Sequence, residues 1–257
     1  MSVFTVDYGH TLSGGDTGAR GNGLVEEKLT REIGNLVVEG LRREGHTVHV
    51  IQLDYANSMT ESLNYRVDKI ISINPDQSIS IHINAFINSE ANGVEVWGDN
   101  LCKDMCVRIA NNISKEFNLT NRGFKNGVED LALVGLYGQS NVPALLVECF
   151  FITNPSDASK YNAQKYADCI VAGILNKSMV QYAPKKEEVD MDKAVLYYGD
   201  ADVFSAILVA QKNQCGVFKK ADFEAKGYTA KEIIQIGGKP EDTNRFVTAI
   251  NAGELLK

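Results

Sequence analysis

Short runs of β-branched and apolar residues alternate with longer amphipathic stretches over residues 1–178. The pattern predicts strands at Val3–Asp7, Thr47–Leu53, Ser78–Ile83, Val94–Trp97 and Ala144–Val147, and helices at roughly 25–43, 61–73, 101–117 and 156–177. This alternation is typical of βα units around a largely parallel sheet. We therefore expect an α/β fold in which helices flank a mostly parallel sheet.

Residues 193–257 repeat the same pattern on a smaller scale. Strands are predicted at Ala194–Tyr198, Gly216–Phe218 and Ile233–Gly237, and helices at 201–212, 220–226 and 241–255. Residues 179–192 contain a proline, a run of charges and no periodicity, which is typical of an exposed linker. The sequence thus predicts a domain at 1–178, a linker at 179–192 and a second small α/β domain at 193–257. Because so short a domain has a marginal core, we predict that it forms a homo-oligomer.

Composition and charge exclude several classes of protein. The chain has 257 residues, 44% hydrophobic and 23% charged, with a formal charge of −7 and no basic stripe, which argues against nucleic-acid binding. The first residues lack the basic and apolar regions of a secretory signal, and no apolar run approaches the ~20 residues that span a bilayer. We therefore expect synthesis in the cytoplasm without a signal peptide, and no membrane anchor. Five cysteines, an odd number without CxxC spacing, predict reduced thiols.

Two of the four histidines follow or end predicted strands. His10 follows the first strand, and His82 ends the third. Ligands of open α/β sheets gather outside the carboxyl ends of the strands, so both imidazoles are candidates for a site. His46 and His49 lie at the start of a strand, at the opposite edge, where polar surface residues are expected.

A carboxylate on the first long helix is the third candidate. Its apolar stripe is formed by Leu29, Ile33, Leu36, Val37, Gly40 and Leu41. Glu26 projects onto the centre of that stripe, whereas Glu27 lies about a quarter-turn away. A buried carboxylate needs a partner such as a cation. The pattern equally allows Glu26 to lie in solvent, stabilised by the helix dipole.

Glu148 is a lone acid within the apolar run Ala144–Phe151. Desolvation there would raise its pKa, as suits a general acid or base, although a salt-bridged strand end is the alternative. Cys149 suggests a cysteine nucleophile, but adjacent strand residues point to opposite faces, so Cys149 and Glu148 cannot both face one site. Two imidazoles and one carboxylate with a water are a common catalytic zinc set, and Glu148 would then be the unliganded acid.

Several ordered motifs resemble those of the zinc-dependent N-acetylmuramoyl-L-alanine amidases of the type-3 amidase family, which includes phage endolysins. The motifs are Asp7–His10, Gly23–Glu26, Ser80–Ala85, Gly93–Trp97, Asn121–Gly123 and Pro143–Asn154. The resemblance covers residues 1–177 and implies a phosphorylase/hydrolase-like amidase domain. One departure is that Gly9-His10 is followed by Thr11-Leu12-Ser13 rather than by Gly-Gly, so the loop over the metal is expected to differ in shape.

The resemblance also implies roles for individual residues. It implies Zn²⁺ held by His10, Glu26 and His82, with Glu148 as the catalytic acid and base. Asn84 and Glu95 are expected substrate contacts, with turn stabilisation as the alternative for Asn84. The implied reaction is hydrolysis, by zinc-activated water, of the amide joining N-acetylmuramic acid to L-alanine in peptidoglycan.

The biological setting has several readings. As a phage endolysin the chain would act on Gram-positive cell walls after holin release or lysis. The alternatives are a host autolysin or mother-cell-lysis amidase of the same chemistry, a zinc exopeptidase, and a non-catalytic wall-binding protein.

The carboxy-terminal part resembles a single copy of the second type of Gram-positive cell-wall-binding repeat. The similar segments are Ala194–Asp200, Phe204–Ala206, Ile236–Gly238 and Asn244–Ala249. A cell-wall polymer is the implied partner. Some codons for Glu187–Asp190 would place a ribosome-binding sequence before Met191, so Met191 is a possible internal start. Its product would be a free carboxy-terminal fragment that joins full-length chains; the alternative is an incidental acidic linker.

Overall fold

A computed structural model of the chain describes residues 1–127, 142–178, 190–226, 228–238 and 245–256. The chain divides into two compact units, Met1–Pro184 and Lys185–Lys257. Most of the predicted linker, residues 179–189, lies outside the described residues. Its last three residues, 190–192, begin a strand of the second unit instead of continuing a linker.

The first unit is built on a six-stranded sheet. Its strands are β1 Val3–Tyr8, β2 Thr47–Ile51, β3 Gln77–Asn84, β4 Val94–Gly98, β5 Asn121–Asn126 and β6 Ala144–Phe151. The order across the sheet is β2-β1-β3-β6-β4-β5. All neighbours are parallel except β6 and β4. The expected α/β fold with a mostly parallel sheet is confirmed.

Strand β5 is absent from the predicted elements. Its sequence, Asn-Arg-Gly-Phe-Lys-Asn, has no alternation of apolar and polar residues. Among the described residues it pairs with β4 alone, at the edge of the sheet. Its side chains are exposed or partly buried, and Phe124 is the one that packs against the main core, so the strand carries little hydrophobic pattern.

Helices cover both faces of this sheet. They are α1 Glu26–Arg43, α2 Met59–Ile73, α3 Lys103–Phe117, α4 Pro155–Ala158 and α5 Ala163–Leu175. The single helix predicted at 156–177 is wrong, because two helices with separate caps occupy that stretch. The Asn154 side chain accepts a hydrogen bond from the Asp157 amide, and the Asn162 side chain accepts one from Lys165. Asparagine favours such caps over helix interiors, so Asn162 starts a new helix.

The main core lies between the sheet and helices α1, α3 and α5. The predicted stripe of α1 is buried there, with Ile33, Val37 and Leu41 fully enclosed. A smaller cluster on the opposite face joins Ile70 of α2 to Leu146 of β6. Polar residues of β1 and β3 also face α2, so the apolar packing on that face gives way to polar contacts toward the carboxyl ends of the strands.

The second unit has a three-stranded parallel sheet. Its strands are β7 Asp190–Tyr197, β8 Gly216–Lys219 and β9 Thr229–Ile236, in the order β8-β7-β9. Its helices are α6 Val203–Lys212, α7 Lys220–Lys226 and α8 Arg245–Glu254. Small apolar clusters lie around Val195 and Leu196 of β7. Within the described ranges of both units, no helix is long and apolar enough to cross a bilayer.

Candidate metal and catalytic site

His10 lies in a sharp turn directly after β1. Its backbone φ is 65°, a left-handed conformation that residues other than glycine rarely adopt. A buried arginine, Arg66 of α2, donates hydrogen bonds to the carbonyl oxygens of Tyr8 (2.9 Å) and His10 (3.0 Å). Arg66 also forms an ion pair with Asp7, whose other oxygen accepts a 2.6 Å hydrogen bond from Ser80. These contacts fix the turn that presents the imidazole.

The fold brings His10, Glu26 and His82 together. The Glu26 Oε1 atom lies 3.3 Å from His10 Nε2 and 3.4 Å from His82 Nδ1. One donor atom from each residue lies within 4.8 Å of the others. Two imidazoles and a carboxylate are a donor set that suits a divalent metal ion, so these residues could hold one.

Glu26 is the first residue of α1 and is buried, with 3% of its surface exposed. Its two oxygens accept hydrogen bonds from the backbone amides of Ile83 (2.9 Å) and Ala19 (2.8 Å). The alternative that Glu26 lies in solvent is therefore wrong. Glu27 is also buried, but it pairs instead with Arg20 at 2.7 Å.

Asp16 orients His10 from the other side of the ring. Its Oδ1 atom lies 3.1 Å from His10 Nδ1. Burial opposes the charged form of His10, but hydrogen bonds to Asp16 and Glu26 outweigh it and raise the pKa of His10 to about 10. Burial also opposes ionisation of Glu26, yet hydrogen bonds from His10 and His82 hold the pKa of Glu26 well below its usual value. A cation bound here would compete with a proton for His10, because a metal ligand must be a neutral imidazole.

The loop after His10 is closed by backbone contacts. The Thr11 amide donates to the Asp16 carbonyl at 2.9 Å, which places the Asp16 side chain beside His10. The next residues, Ser13–Gly14, form a short parallel pair with Tyr55–Ala56. The sequence that departs from Gly-His-Gly-Gly thus forms a folded loop tied to the segment before α2.

Glu148 lies beside this cluster, on the strand next to His82. It is in register with His82 on one side and with Glu95 on the other. Burial raises the pKa of Glu148 well above its usual value, and the charges of Glu26 and Glu95 raise it further. Its Oε2 atom is buried without a hydrogen-bond partner among the described residues. Cys149 points the other way, into the main core, as the alternation of strand residues requires.

The side chains of Asn84 and Glu95 contact one another. The Asn84 side-chain amide donates to Glu95 Oε1 at 2.8 Å, and the Trp97 indole donates to the same oxygen at 3.3 Å. Arg122 of β5 donates from Nε to Glu95 Oε2 at 2.6 Å, and its guanidinium lies 5.0 Å from the centre of the Phe151 ring. Hydrogen bonds to the Glu95 side chain therefore connect β3, β4 and β5 near the end of β3.

Sequence reasoning missed Asp16, Arg66 and Arg122. Asp16 belongs to a loop without periodicity, and only its distance of six residues from His10 could have suggested a contact. Arg66 sits in an amphipathic helix where an arginine is expected on the surface. Arg122 lies in a motif, Asn121–Gly123, to which no role was assigned.

Met191, the possible internal start, lies in β7, where it pairs with Ala230 of β9. Its side chain is partly buried against a cluster that contains Leu196 and Phe223.

Comparisons with known proteins identify relatives of the chain. The sequence profile of the N-acetylmuramoyl-L-alanine amidase family matches residues 5–177. N-acetylmuramoyl-L-alanine amidase LytC of Bacillus subtilis strain 168 is 32% identical over 182 residues, which is 69% of this chain and 35% of that protein. The chain thus matches only about a third of that relative's length.

Solved structures show the same catalytic fold. The catalytic domain of the CD27L endolysin targeting Clostridia Difficile superposes with a TM-score of 0.62 at 26% identity, covering 70% of this chain and 100% of that one. The amidase AmiC2 of Nostoc punctiforme superposes with a TM-score of 0.57 at 26% identity, covering 68% and 96%. Each superposition covers a share of this chain close to that of residues 5–177, which the family profile matches.

Proposed function

Because the chain belongs to the N-acetylmuramoyl-L-alanine amidase family, whose members are hydrolases, we propose that it cleaves the amide between the lactyl group of N-acetylmuramic acid and the first L-alanine of the peptidoglycan stem. The observation that carries this proposal is the cluster of His10, Glu26 and His82, with the Glu148 Oε2 atom beside it, for which the described part of the chain offers no hydrogen-bond partner. In this proposal residues 1–178 form the catalytic domain.

The proposed metal is zinc. Zinc bonds of about 2.0–2.1 Å at tetrahedral angles place neighbouring donor atoms about 3.3 Å apart. The two distances from Glu26 Oε1 to the imidazole nitrogens, 3.3 and 3.4 Å, fit that spacing. When bound, zinc would polarise the substrate carbonyl and lower the pKa of a water molecule toward about 7.

Glu148 would move the proton. Its buried Oε2 would accept a proton from the attacking water and then donate it to the nitrogen of the leaving L-alanine. Asp16 would hold the His10 ring in place through Nδ1, so that Nε2 faces Glu26. Asn84, two residues after His82 on β3, and Glu95, on the other neighbour of the Glu148 strand, are the proposed substrate contacts.

Mass analysis of digested cell walls tests the reaction. We expect new L-alanine amino termini and intact glycan strands, a loss of activity with chelator, and its return with zinc. Glu148→Gln should lower kcat at least 100-fold, which is the usual size of an acid–base contribution. Glu90→Gln, which changes an exposed acid, should be as active as the unaltered chain.

The other activities give different products. A zinc exopeptidase would leave the sugar–peptide amide intact, and a non-catalytic wall-binding protein would bind walls without releasing peptide. Either result, or full activity of Glu148→Gln, would contradict the proposal.

We further propose that the enzyme is a phage endolysin, which the full-length match to the catalytic domain of the CD27L endolysin supports. A host autolysin or mother-cell-lysis amidase is the second candidate, favoured by the 32% identity to LytC. The neighbouring genes separate the two. A holin gene beside the coding sequence would support the endolysin, whereas host sporulation or cell-wall genes there would favour the host amidase.

For the second unit we propose binding to a cell-wall polymer and self-association. Phe204, Ile207 and Leu208 of α6 lie three and four residues apart, and their side chains are exposed. A product that begins at Met191 would keep nearly all of β7 and could join full-length chains through the same face. Light scattering should show an oligomer, and Met191→Leu should remove a co-purifying short fragment. A monomer would contradict self-association, and a fragment that is unchanged in Met191→Leu would contradict the internal start.

A further inference from the structure

Side chains of four neighbouring strands form a row that leads away from the metal-binding cluster. Glu148 is in register with His82 of β3 and with Glu95 of β4, so all three side chains share one face of the sheet. Gly123 of β5 is in register with Glu95, but the pairing of β4 and β5 shifts register between Val94 and Glu95. The side chain of Arg122, the residue before Gly123, contacts Glu95 at this irregularity. Since strands are about 4.8 Å apart, Glu95 lies roughly 10 Å from His82 along this row.

Arg122 lies at the end of this row, and only the Nε atom of its guanidinium is used in a hydrogen bond with a described residue. Its Nε donates to the buried Glu95, whose exposed fraction is 5%, and its guanidinium carbon lies over the ring of Phe151, 5.0 Å from the ring centre. Glu95 is itself held by Asn84 and Trp97. The Arg122 side chain nevertheless remains 39% exposed, and none of the described residues accepts a hydrogen bond from its terminal amino groups.

We infer that Arg122 binds the α-carboxylate of the second residue of the stem peptide, and so sets specificity for stems in which that group is not amidated. The inference rests on the proposed amidase function. The second stem residue is a glutamate joined to the third residue through its side-chain carboxyl, which leaves the α-carboxyl free or amidated.

The spacing and the chemistry both fit this ligand. An extended chain rises about 3.3–3.6 Å per residue, so this carboxylate lies roughly 7 Å from the scissile amide. The backbones of Glu148 and Arg122 are two strands apart, about 10 Å, but the Arg122 side chain extends back to Glu95 on the strand between them. Its guanidinium therefore lies nearer to Glu148 than about 10 Å, within reach of a carboxylate held about 7 Å from the scissile amide. The two terminal amino groups of a guanidinium bind a carboxylate through paired hydrogen bonds, and a guanidinium already oriented by Glu95 and Phe151 loses little freedom on binding.

A pair of matched substrates tests the inference. Glycan strands with uncrosslinked stems are prepared with the second-residue α-carboxyl either free or converted to the carboxamide, and kcat/KM is measured for each. We expect the unaltered enzyme to prefer the free acid about tenfold or more, since charged hydrogen bonds are stronger than neutral ones. Arg122→Gln should bring the ratio close to one, and Arg122→Lys should give an intermediate value.

The ratio is the informative quantity, because a partly unfolded variant loses activity equally on both substrates. Arg42→Gln is the control. Arg42 donates to the Val48 carbonyl at 2.8 Å and lies near the carboxyl end of α1, at the opposite end of that helix from Glu26. The ratio of kcat/KM values for Arg42→Gln should therefore equal that of the unaltered enzyme.

Equal cleavage of the two substrates by the unaltered enzyme, or a preference that survives in Arg122→Gln, would overturn the inference and leave the proposed function intact. If the unaltered enzyme releases no peptide from either substrate, the proposed function itself fails.

Discussion

At the scale of single residues, the turn at His10 combines an unfavourable backbone with unusually many hydrogen bonds. A left-handed conformation costs a residue with a side chain about 1–2 kcal/mol. Thr30 donates to the carbonyl of Gly9 at 2.9 Å, and Arg66 donates to that of His10 at 3.0 Å. Asp16 then fixes the ring. The backbone cost is thus offset by buried contacts that also aim Nε2 at Glu26.

The Asp16–His10 contact leads to the first prediction. Asp16→Asn removes the charged partner of Nδ1 and frees the ring to rotate, so we expect zinc affinity to fall about 10- to 100-fold. Competition with a fluorescent chelator measures the dissociation constant. Asp68→Asn, which changes an exposed aspartate of α2, is the control and should bind zinc normally. An unchanged affinity for Asp16→Asn would show that Asp16 does not position the ligand.

The second prediction concerns the five thiols. Burial raises the pKa of Cys106 and Cys169 to about 12, and raises that of Cys102 and Cys149 as well. Because the thiolate is the reactive form, these four thiols should react with Ellman's reagent only after unfolding. Cys215 is half-buried and should react first in the folded chain.

Counting the thiols that react quickly checks this expectation. Cys215→Ser should abolish the fast phase and leave the slow phase unchanged. A fast phase that persists in Cys215→Ser would contradict it.

At this scale the sequence predicts ligands better than it predicts their supports. His10 and His82 could be singled out because strand ends are visible in the hydrophobic pattern, and Glu26 because it falls on an apolar stripe. Asp16 and Arg122 could not, because each acts through a contact set by loop closure or by an edge strand. Such contacts leave no periodic trace in the sequence.

At the scale of elements, the close approach of the β1 turn to β3 brings the two histidines together. Gly9 lies against the end of β3 with no room for a side chain. An added Cβ would lie 2.6 Å from the Ile81 carbonyl oxygen and 2.6 Å from the His82 ring. The oxygen belongs to a central strand paired on both sides, so it cannot move away.

Gly9→Ala should therefore push the turn away from β3 and separate His10 from His82. We expect a loss of about 1–3 kcal/mol in the free energy of unfolding, as for other overpacked sites, together with weaker zinc binding. Urea denaturation and zinc titration measure the two effects. Gly253→Ala is the matched control, since nothing lies within 4 Å of its added Cβ. A Gly9→Ala chain with normal stability and zinc affinity would show that the turn tolerates the displacement.

Element boundaries show where pattern reasoning stops. The stripe of α1 predicted that helix closely, because a long apolar face must be buried somewhere. The break between α4 and α5 depends instead on one side chain, that of Asn162, which caps a new helix. Strand β5 depends on its neighbour β4, since its own residues are mostly polar. Helix caps and edge-strand pairing thus set the element boundaries that hydrophobic periodicity does not predict.

At the scale of the whole molecule, each unit has apolar clusters of its own. One set surrounds Ile33 and Ile81 in the first unit, and another surrounds Val195 and Val209 in the second. All three candidate ligands belong to the first unit. A metal ion that binds only the folded state stabilises the unit that contains its site and no other.

Zinc should therefore raise the melting temperature of one transition and leave the other unchanged. At a free concentration 100 times the dissociation constant, the stabilisation is about 2.7 kcal/mol. For a domain of this size that corresponds to a shift of about 5–10 °C. Scanning calorimetry of the chelator-treated chain, with and without zinc, measures it. Zinc should shift neither transition of His82→Ala, because two remaining donors bind the ion weakly. A shift of both transitions in the unaltered chain would mean that the two units unfold as one, and no shift at all would mean that the cluster does not hold zinc.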